Sequence, residues 1–188
     1  YPYSGSNLKS WMETNGYGKV STKQVIVVTS VNIGSFNSSP YSYPIDSYDV
    51  VVFGFWDSNN GYDINSNAVN WLKDWTGRGK PVVFGHDTIY NSHSGFKQFG
   101  SYAGLNVLSQ GPAIRNQDTT IIIVKDSVFT TYPWAIGSAG SKLSIPSAHD
   151  DPSQYVVNSG NIFLKFKTQV SSARTASENF YLVVNKTG

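Results

Sequence analysis

The chain has 188 residues, of which 39% are hydrophobic and 14% are charged, and its 14 Lys and Arg against 12 Asp and Glu leave a net charge of +2. This length predicts a single domain, 1–188. Because the charges nearly balance and form no block of one sign, we predict neither a nucleic-acid partner nor membrane insertion. The absence of cysteine excludes disulfides, thiolate metal sites and cysteine nucleophiles.

The low charge and the abundance of Ser, Asn, Gly and Tyr predict an extracellular protein, either secreted or attached to a cell surface. The first residues contain no basic and apolar leader and no initiator Met. We therefore expect a mature protein or a piece of a larger polypeptide, whose other domains would then be its partners.

The first half of the chain contains one complete strand–helix–strand pattern. A short helix capped by Ser6 is expected first, and the continuous apolar run 25–28 predicts a strand that is covered on both faces. Apolar runs at 50–55 and 82–85 then flank a helix that begins near Ser66 and closes at Gly77. The crossover is long enough for parallel strands, so 48–87 predicts a β-α-β unit.

The second half shows further apolar runs between polar loops. A short helix is expected over 96–104, a strand or sheet edge over 119–124, and a long irregular excursion over 132–151. Two closing strands are expected at 161–166 and 179–184. Together these elements predict an α/β fold: a flavodoxin-like three-layer sandwich with a mostly parallel sheet and a C-terminal antiparallel addition.

A resemblance to a known family rests on Tyr-Asp-Val-Val-Val at 48–52 and Gly-Lys-Pro-Val-Val-Phe-Gly at 79–85, with the capped helix between them. These about forty residues resemble the class I glutamine amidotransferase-like superfamily, which implies the flavodoxin-like fold. Its catalytic members place a cysteine on the turn after the second strand. Here His86 and Asp87 stand at that turn, and without a thiol no thioester forms, which excludes glutamine amidotransferase activity.

A second resemblance covers residues 132–134, 145–149 and 154–155. These segments are similar to secreted or surface-attached bacterial domains that share the same architecture and have no established activity. The resemblance therefore implies a surface location and no particular reaction.

Candidate catalytic residues lie at the predicted strand exits. His86 and Asp87 follow the second strand and Asp57 follows the first, so the three side chains are expected to converge and to orient a water or hold a cation. His149 is a candidate partner for them. In the alternative interpretation, Asp87 caps a helical turn, His86 packs at the sheet rim, and Asp151 near His149 begins a proline turn. The three histidines are scattered and no nucleotide or zinc motif occurs, so we predict no cofactor and no metal.

Loop aromatics provide candidate ligand-binding residues. Four of them lie in or beside the predicted exits and are expected, with Asp57, to contact a ligand: Trp56, Tyr62, Tyr90 and Trp134. Rings with a polar tip stack on sugars or grip protein surfaces. Local packing is the alternative for each ring, because single exposed aromatics are ordinary.

These observations lead to a first functional hypothesis and two rivals. The first is a non-catalytic extracellular binding or structural module of a larger bacterial protein, whose ligand is a glycan or a cell-surface protein. The second is a hydrolase of a sugar derivative or amide that uses His86 or Asp87 as a base with His149. The third is an architectural spacer without a ligand.

Overall fold

The computed structural model describes residues 5–14, 19–20, 22–54, 61–85, 88–108, 119–131, 135–146, 155–167 and 180–186. The chain divides into two compact units, Tyr1–Phe96 and Lys97–Gly188. The single domain predicted for 1–188 stays a prediction.

In these described ranges the helices are α1 (Gly5–Met12), α2 (Ile33–Ser38), α3 (Ser66–Gly77) and α4 (Val128–Thr131). The strands are β1 (Lys19–Val20), β2 (Lys23–Gln24), β3 (Val51–Phe53), β4 (Val82–Phe84), β5 (Leu105–Val107), β6 (Thr120–Ile123), β7 (Lys142–Ser144), β8 (Tyr155–Val157), β9 (Asn161–Phe166) and β10 (Phe180–Val184). None of the described helices is long and apolar enough to cross a membrane.

The predicted β-α-β unit is confirmed in the first unit. Strands β3 and β4 pair in parallel, with Val51 opposite Val82, and α3 is the crossover between them. Asn65 caps α3 by accepting a hydrogen bond from the Ala68 N–H at 3.1 Å. The cap lies one residue before the Ser66 expected from sequence, because the Asn65 side chain supplies the oxygen that the first turn needs.

Aromatic rings form the core of the first unit. Trp71 and Trp75 on α3 are almost fully buried and stacked, with ring centroids 5.3 Å apart, and Phe36 of α2 meets Trp71 edge-on. Both indole N–H groups donate to backbone carbonyls, Trp71 to Tyr43 and Trp75 to Pro81, each at 3.0 Å. The rings therefore bury a large apolar area without leaving a polar group unpaired.

The second unit contains a four-stranded antiparallel sheet of order β10–β9–β6–β7 and a separate antiparallel pair, β5 with β8. The sheet packs one face around four buried residues: Ile121, Ile123, Leu164 and Phe166. These residues alternate along β6 and β9, as expected when one face of a sheet is buried. The two closing strands predicted from sequence are present as β9 and β10.

The predicted flavodoxin-like sandwich with a mostly parallel sheet is wrong. Among the described strands, β3 and β4 are the one parallel pair, and every other ladder is antiparallel. The apolar run at 119–124 became β6, which pairs with β7 and β9. An apolar run records burial but not direction, so β6 is compatible with either kind of sheet.

The strand predicted at 25–28 is also absent. Strand β2 ends at Gln24, and Val27 is 74% exposed. The segment is held instead by α1: the Val28 N–H donates to Glu13 Oε1 at 2.8 Å, and the Val28 carbonyl accepts from Lys9 Nζ. Side chains of α1 thus form the hydrogen bonds with the Val28 backbone that a neighbouring strand was expected to form.

Trp71→Ala tests the aromatic core. Removing the ring leaves a cavity beside Trp75 and Phe36, so we expect the free energy of unfolding to fall by about 3–5 kcal/mol in urea denaturation. Val27→Ala is the matched control, and its exposed side chain predicts a change within about 0.5 kcal/mol. Equal effects of the two substitutions would contradict this description of the core.

Candidate functional site at the strand exits

The structure describes two of the predicted site residues in this region and not the others. Tyr62 is 48% exposed, and Tyr90 is half-buried with its ring 5.8 Å from that of His93. Six predicted residues lie outside the described residues: Trp56, Asp57, His86, Asp87, Trp134 and His149. Their proposed convergence stays a prediction.

Two glycines end the parallel strands and touch each other. Gly54 follows β3 with φ +87°, and Gly85 follows β4 and donates its N–H to the Phe53 carbonyl at 2.8 Å. A Cβ on Gly54 would lie against the Thr88 hydroxyl and 3.0 Å from the Gly85 backbone, and one on Gly85 would meet the Gly54 carbonyl. The backbones at both exits approach so closely that only hydrogen fits between them.

The Asp63 carboxylate organises the loop that follows. Oδ2 accepts from the N–H groups of Ser94 (2.6 Å) and Gly95 (2.8 Å), and from the Ser94 hydroxyl at 3.2 Å. Oδ1 accepts from the N–H groups of Ile64 (2.8 Å) and Phe96 (2.9 Å). Both oxygens are therefore occupied, and most of their partners lie about thirty residues further along the chain, which closes a long loop.

These hydrogen bonds set the ionisation of Asp63. Partial burial raises its pKa, but the backbone N–H groups of Gly95, Phe96 and Ile64 and the nearby charge of His93 outweigh it, and the pKa lies below the ordinary value. A lowered pKa means that the ionised carboxylate stabilises the fold. This contribution is present above the pKa of the unfolded chain and is lost as pH falls through the folded value.

An asparagine pair fixes Asp63 at the start of α3. The Asn37 amide donates to the Asp63 carbonyl at 2.9 Å, and Asn37 Oδ1 accepts from the Asn65 N–H at 2.9 Å. Asn65 returns a hydrogen bond from its own amide to the Asn37 carbonyl at 3.0 Å. The end of α2 and the N-cap of α3 thus anchor the backbone at Asp63.

His93 is a second polar residue of the same loop. It is 4% exposed, and its Nδ1 lies 2.8 Å from the Thr88 carbonyl. Because a carbonyl only accepts, Nδ1 carries the proton in this contact. Nε2 is buried without a hydrogen-bond partner among the described residues. The imidazole therefore braces the loop from Thr88 and does not face solvent.

Sequence reasoning did not select Asp63 or His93. Asp63 directly follows Tyr62, which was selected as an aromatic residue. The hydrogen-bond donors of Asp63 at 94–96 are backbone N–H groups, and side-chain types do not identify such donors. Gly95 is the one local signal, since a Cβ there would collide with the Ile64 carbonyl. Across the part of the chain that the structure describes, no group of three His, Asp or Glu side chains is placed to hold a metal ion.

Comparisons of the chain with protein families, with curated proteins and with solved structures found no match. The resemblance to the glutamine amidotransferase-like superfamily stays a prediction.

Gly54→Ala tests the close approach of the strand exits. We expect it to lower the free energy of unfolding by about 3 kcal/mol or more, because strain at positive φ adds to a collision with Thr88 and Gly85. Gly79→Ala is the matched control: Gly79 has φ +70° but open space around its Cβ position, so the loss should be about 1–2 kcal/mol. Equal losses would show that the exits are not in contact.

Asp63→Asn tests the carboxylate as a structural group. At neutral pH we expect the variant to unfold about 1–3 kcal/mol more easily than the parent, because charge-assisted hydrogen bonds weaken. The difference should shrink as pH falls through the lowered pKa of Asp63, followed by urea denaturation along a pH series.

Asp46→Asn is the control for Asp63→Asn, since Asp46 pairs with Arg78 at the surface and both side chains are exposed. Such a pair contributes at most about 1 kcal/mol. A difference between Asp63→Asn and the parent that stays constant down to strongly acidic pH would contradict the assignment.

Proposed function

We propose that this chain is a non-catalytic binding or structural module of a larger extracellular bacterial protein, with a glycan or cell-surface component as its ligand. Asp63 carries the proposal. Its carboxylate is the described acidic group of the strand-exit loops, and both of its oxygens bind backbone N–H groups. A general base needs an oxygen or nitrogen within reach of its substrate.

The imidazole of the same loop supports the proposal in the same way. His93 binds the Thr88 carbonyl through Nδ1, and its Nε2 is buried. The Asp63 carboxylate and the His93 imidazole thus both form hydrogen bonds that hold the loop. A rigid loop of this kind suits recognition, where a preorganised surface lowers the entropic cost of binding.

Tyr62 is the described residue best placed to contact a ligand. It is half exposed and directly precedes Asp63, whose contacts fix the backbone on which the ring stands. A tyrosine presents an apolar ring and a hydroxyl at a small entropic cost, which suits the face and the hydroxyl groups of a sugar. We propose Tyr62 as part of the ligand surface, together with Trp56 and Tyr90.

Tyr62→Ala tests the binding proposal. We expect retention on insoluble bacterial wall material, measured by pull-down and by a glycan array, to weaken about fivefold. Tyr41→Ala is the control, since Tyr41 is 57% exposed and contacts Asp74 of α3, outside the loop that Asp63 organises.

Three results would count against the proposal. Absence of any retention would remove the binding function, and an equal loss in Tyr41→Ala would remove Tyr62 from the site. Turnover of a glycan or amide that Asp87→Asn abolishes without unfolding the chain would establish the hydrolase instead.

A further inference from the structure

The outward face of the four-stranded sheet in the second unit is defined by strand register. Ile122 lies opposite Lys142 on β7 and opposite Lys165 on β9, so these three side chains share one face. This is the face opposite the buried Ile121 and Ile123, because side chains alternate along β6. We call it the lysine face.

The next row of the lysine face adds another cation and two hydroxyl residues. The Lys167 N–H donates to the Thr120 carbonyl at 3.0 Å, and Thr120 lies opposite Ser144. Residues two apart on a strand are about 7 Å apart, and β7 and β9 are about 10 Å apart across β6. Lys142, Lys165 and Lys167 thus lie on one face of the sheet, with Ile122 in the first row and Thr120 and Ser144 in the second.

These three charges have no opposite charge beside them in the described residues. None of the three makes a salt bridge there, and β6, β7, β9 and β10 contain no Asp or Glu. Residues 97–188 carry eight Lys and Arg against five Asp and Glu, whereas 1–96 carry six against seven. The positive charge of the chain therefore belongs to the unit that contains the lysine face.

The other end of the face is already occupied by internal contacts. Lys125 Nζ lies 4.5 Å from the centre of the Phe163 ring and donates to Asn161 Oδ1 at 3.0 Å. The Phe129 ring meets Phe163 edge-on at 5.2 Å. Phe163 is thus covered, and the three other lysines are the groups that a ligand would meet.

We propose that the lysine face binds an anionic polysaccharide that bears carboxylate groups, an inference that rests on the proposed glycan-binding function and names the ligand class. Charge complementarity carries it, since three lysines that have no ion-pair partner among the described residues lie on one face of the sheet. The interleaved Ser144 and Thr120 suit a polymer that carries hydroxyl groups as well as charge.

Other polyanions fit the same face less well. A nucleic acid is bound more strongly where exposed aromatic rings stack on its bases. The two rings on this face each contact another ring, Phe163 that of Phe129 and Phe180, which lies opposite Lys165, that of Tyr155. A lipid surface is bound by large exposed apolar side chains inserted beside the cations, whereas Ile122, which lies between Lys142 and Lys165, is half-buried, and the next row holds Thr120 and Ser144.

The test uses the full chain and its Lys142→Gln/Lys165→Gln/Lys167→Gln variant on immobilised polygalacturonate, with neutral dextran as a second matrix. We expect the parent to bind polygalacturonate and not dextran, with affinity that falls as salt rises. The affinity of the variant for polygalacturonate should be lower than that of the parent by a factor of about ten or more. Lys23→Gln/Lys73→Gln/Lys97→Gln makes the same change in net charge at residues outside the four strands of the face and should bind like the parent.

Each other outcome overturns the inference. Failure of the parent to bind polygalacturonate, or an equal loss in both triple variants, removes the lysine face as a specific site. Binding that is stronger to anionic phospholipid vesicles or to single-stranded DNA than to polygalacturonate assigns the face to those ligands instead. Wall retention by the parent, together with failure of the parent to bind polygalacturonate, leaves the proposed function standing without this inference.

Discussion

The Asp63 carboxylate is the contact on which the strand-exit region depends. It joins residues about thirty positions apart in the chain by binding successive backbone N–H groups from Ser94 to Phe96. Without it, those amides would be left to solvent and the loop after β4 would lose its attachment to the start of α3. The buried His93 lies in the same closed loop, whereas the contact of Gly54 with Gly85 follows from the pairing of β3 with β4.

A polar residue near a strand exit can have a catalytic role or a structural role, and Asp63 has the contacts of a structural one. The end of a parallel strand is where ligands bind in α/β proteins, and an acidic residue there is easily interpreted as catalytic. In this chain Asp63 and His93 act as internal braces, whereas Tyr62 is 48% exposed and Lys142 and Lys167 are exposed on the sheet of the second unit. We therefore propose recognition by aromatic and charged surfaces as its function.

Sequence reasoning predicted the elements whose evidence is local. The crossover between β3 and β4 has the length and caps of a β-α-β unit, and β9 and β10 have the alternation of strands beside a core. Strand partners were not predictable, because the apolar residues of β6 suit a parallel neighbour as well as the antiparallel β7 and β9 it has. The strand predicted at 25–28 was wrong for a related reason, because the groups that bind Val28 are side chains near α1, which is distant in sequence. Asp63 was missed because its partners are backbone amides, which every residue type offers.

A carboxyl carbon NMR titration of Asp63, with the amide signals of Ser94, Gly95 and Phe96 followed in the same samples, tests the central claim most directly. A structural carboxylate predicts a pKa below the ordinary aspartate value and amide shifts that change with the same midpoint. A pKa at or above the ordinary value, with amide signals that do not respond to it, would mean that Asp63 does not hold the loop and is available for chemistry.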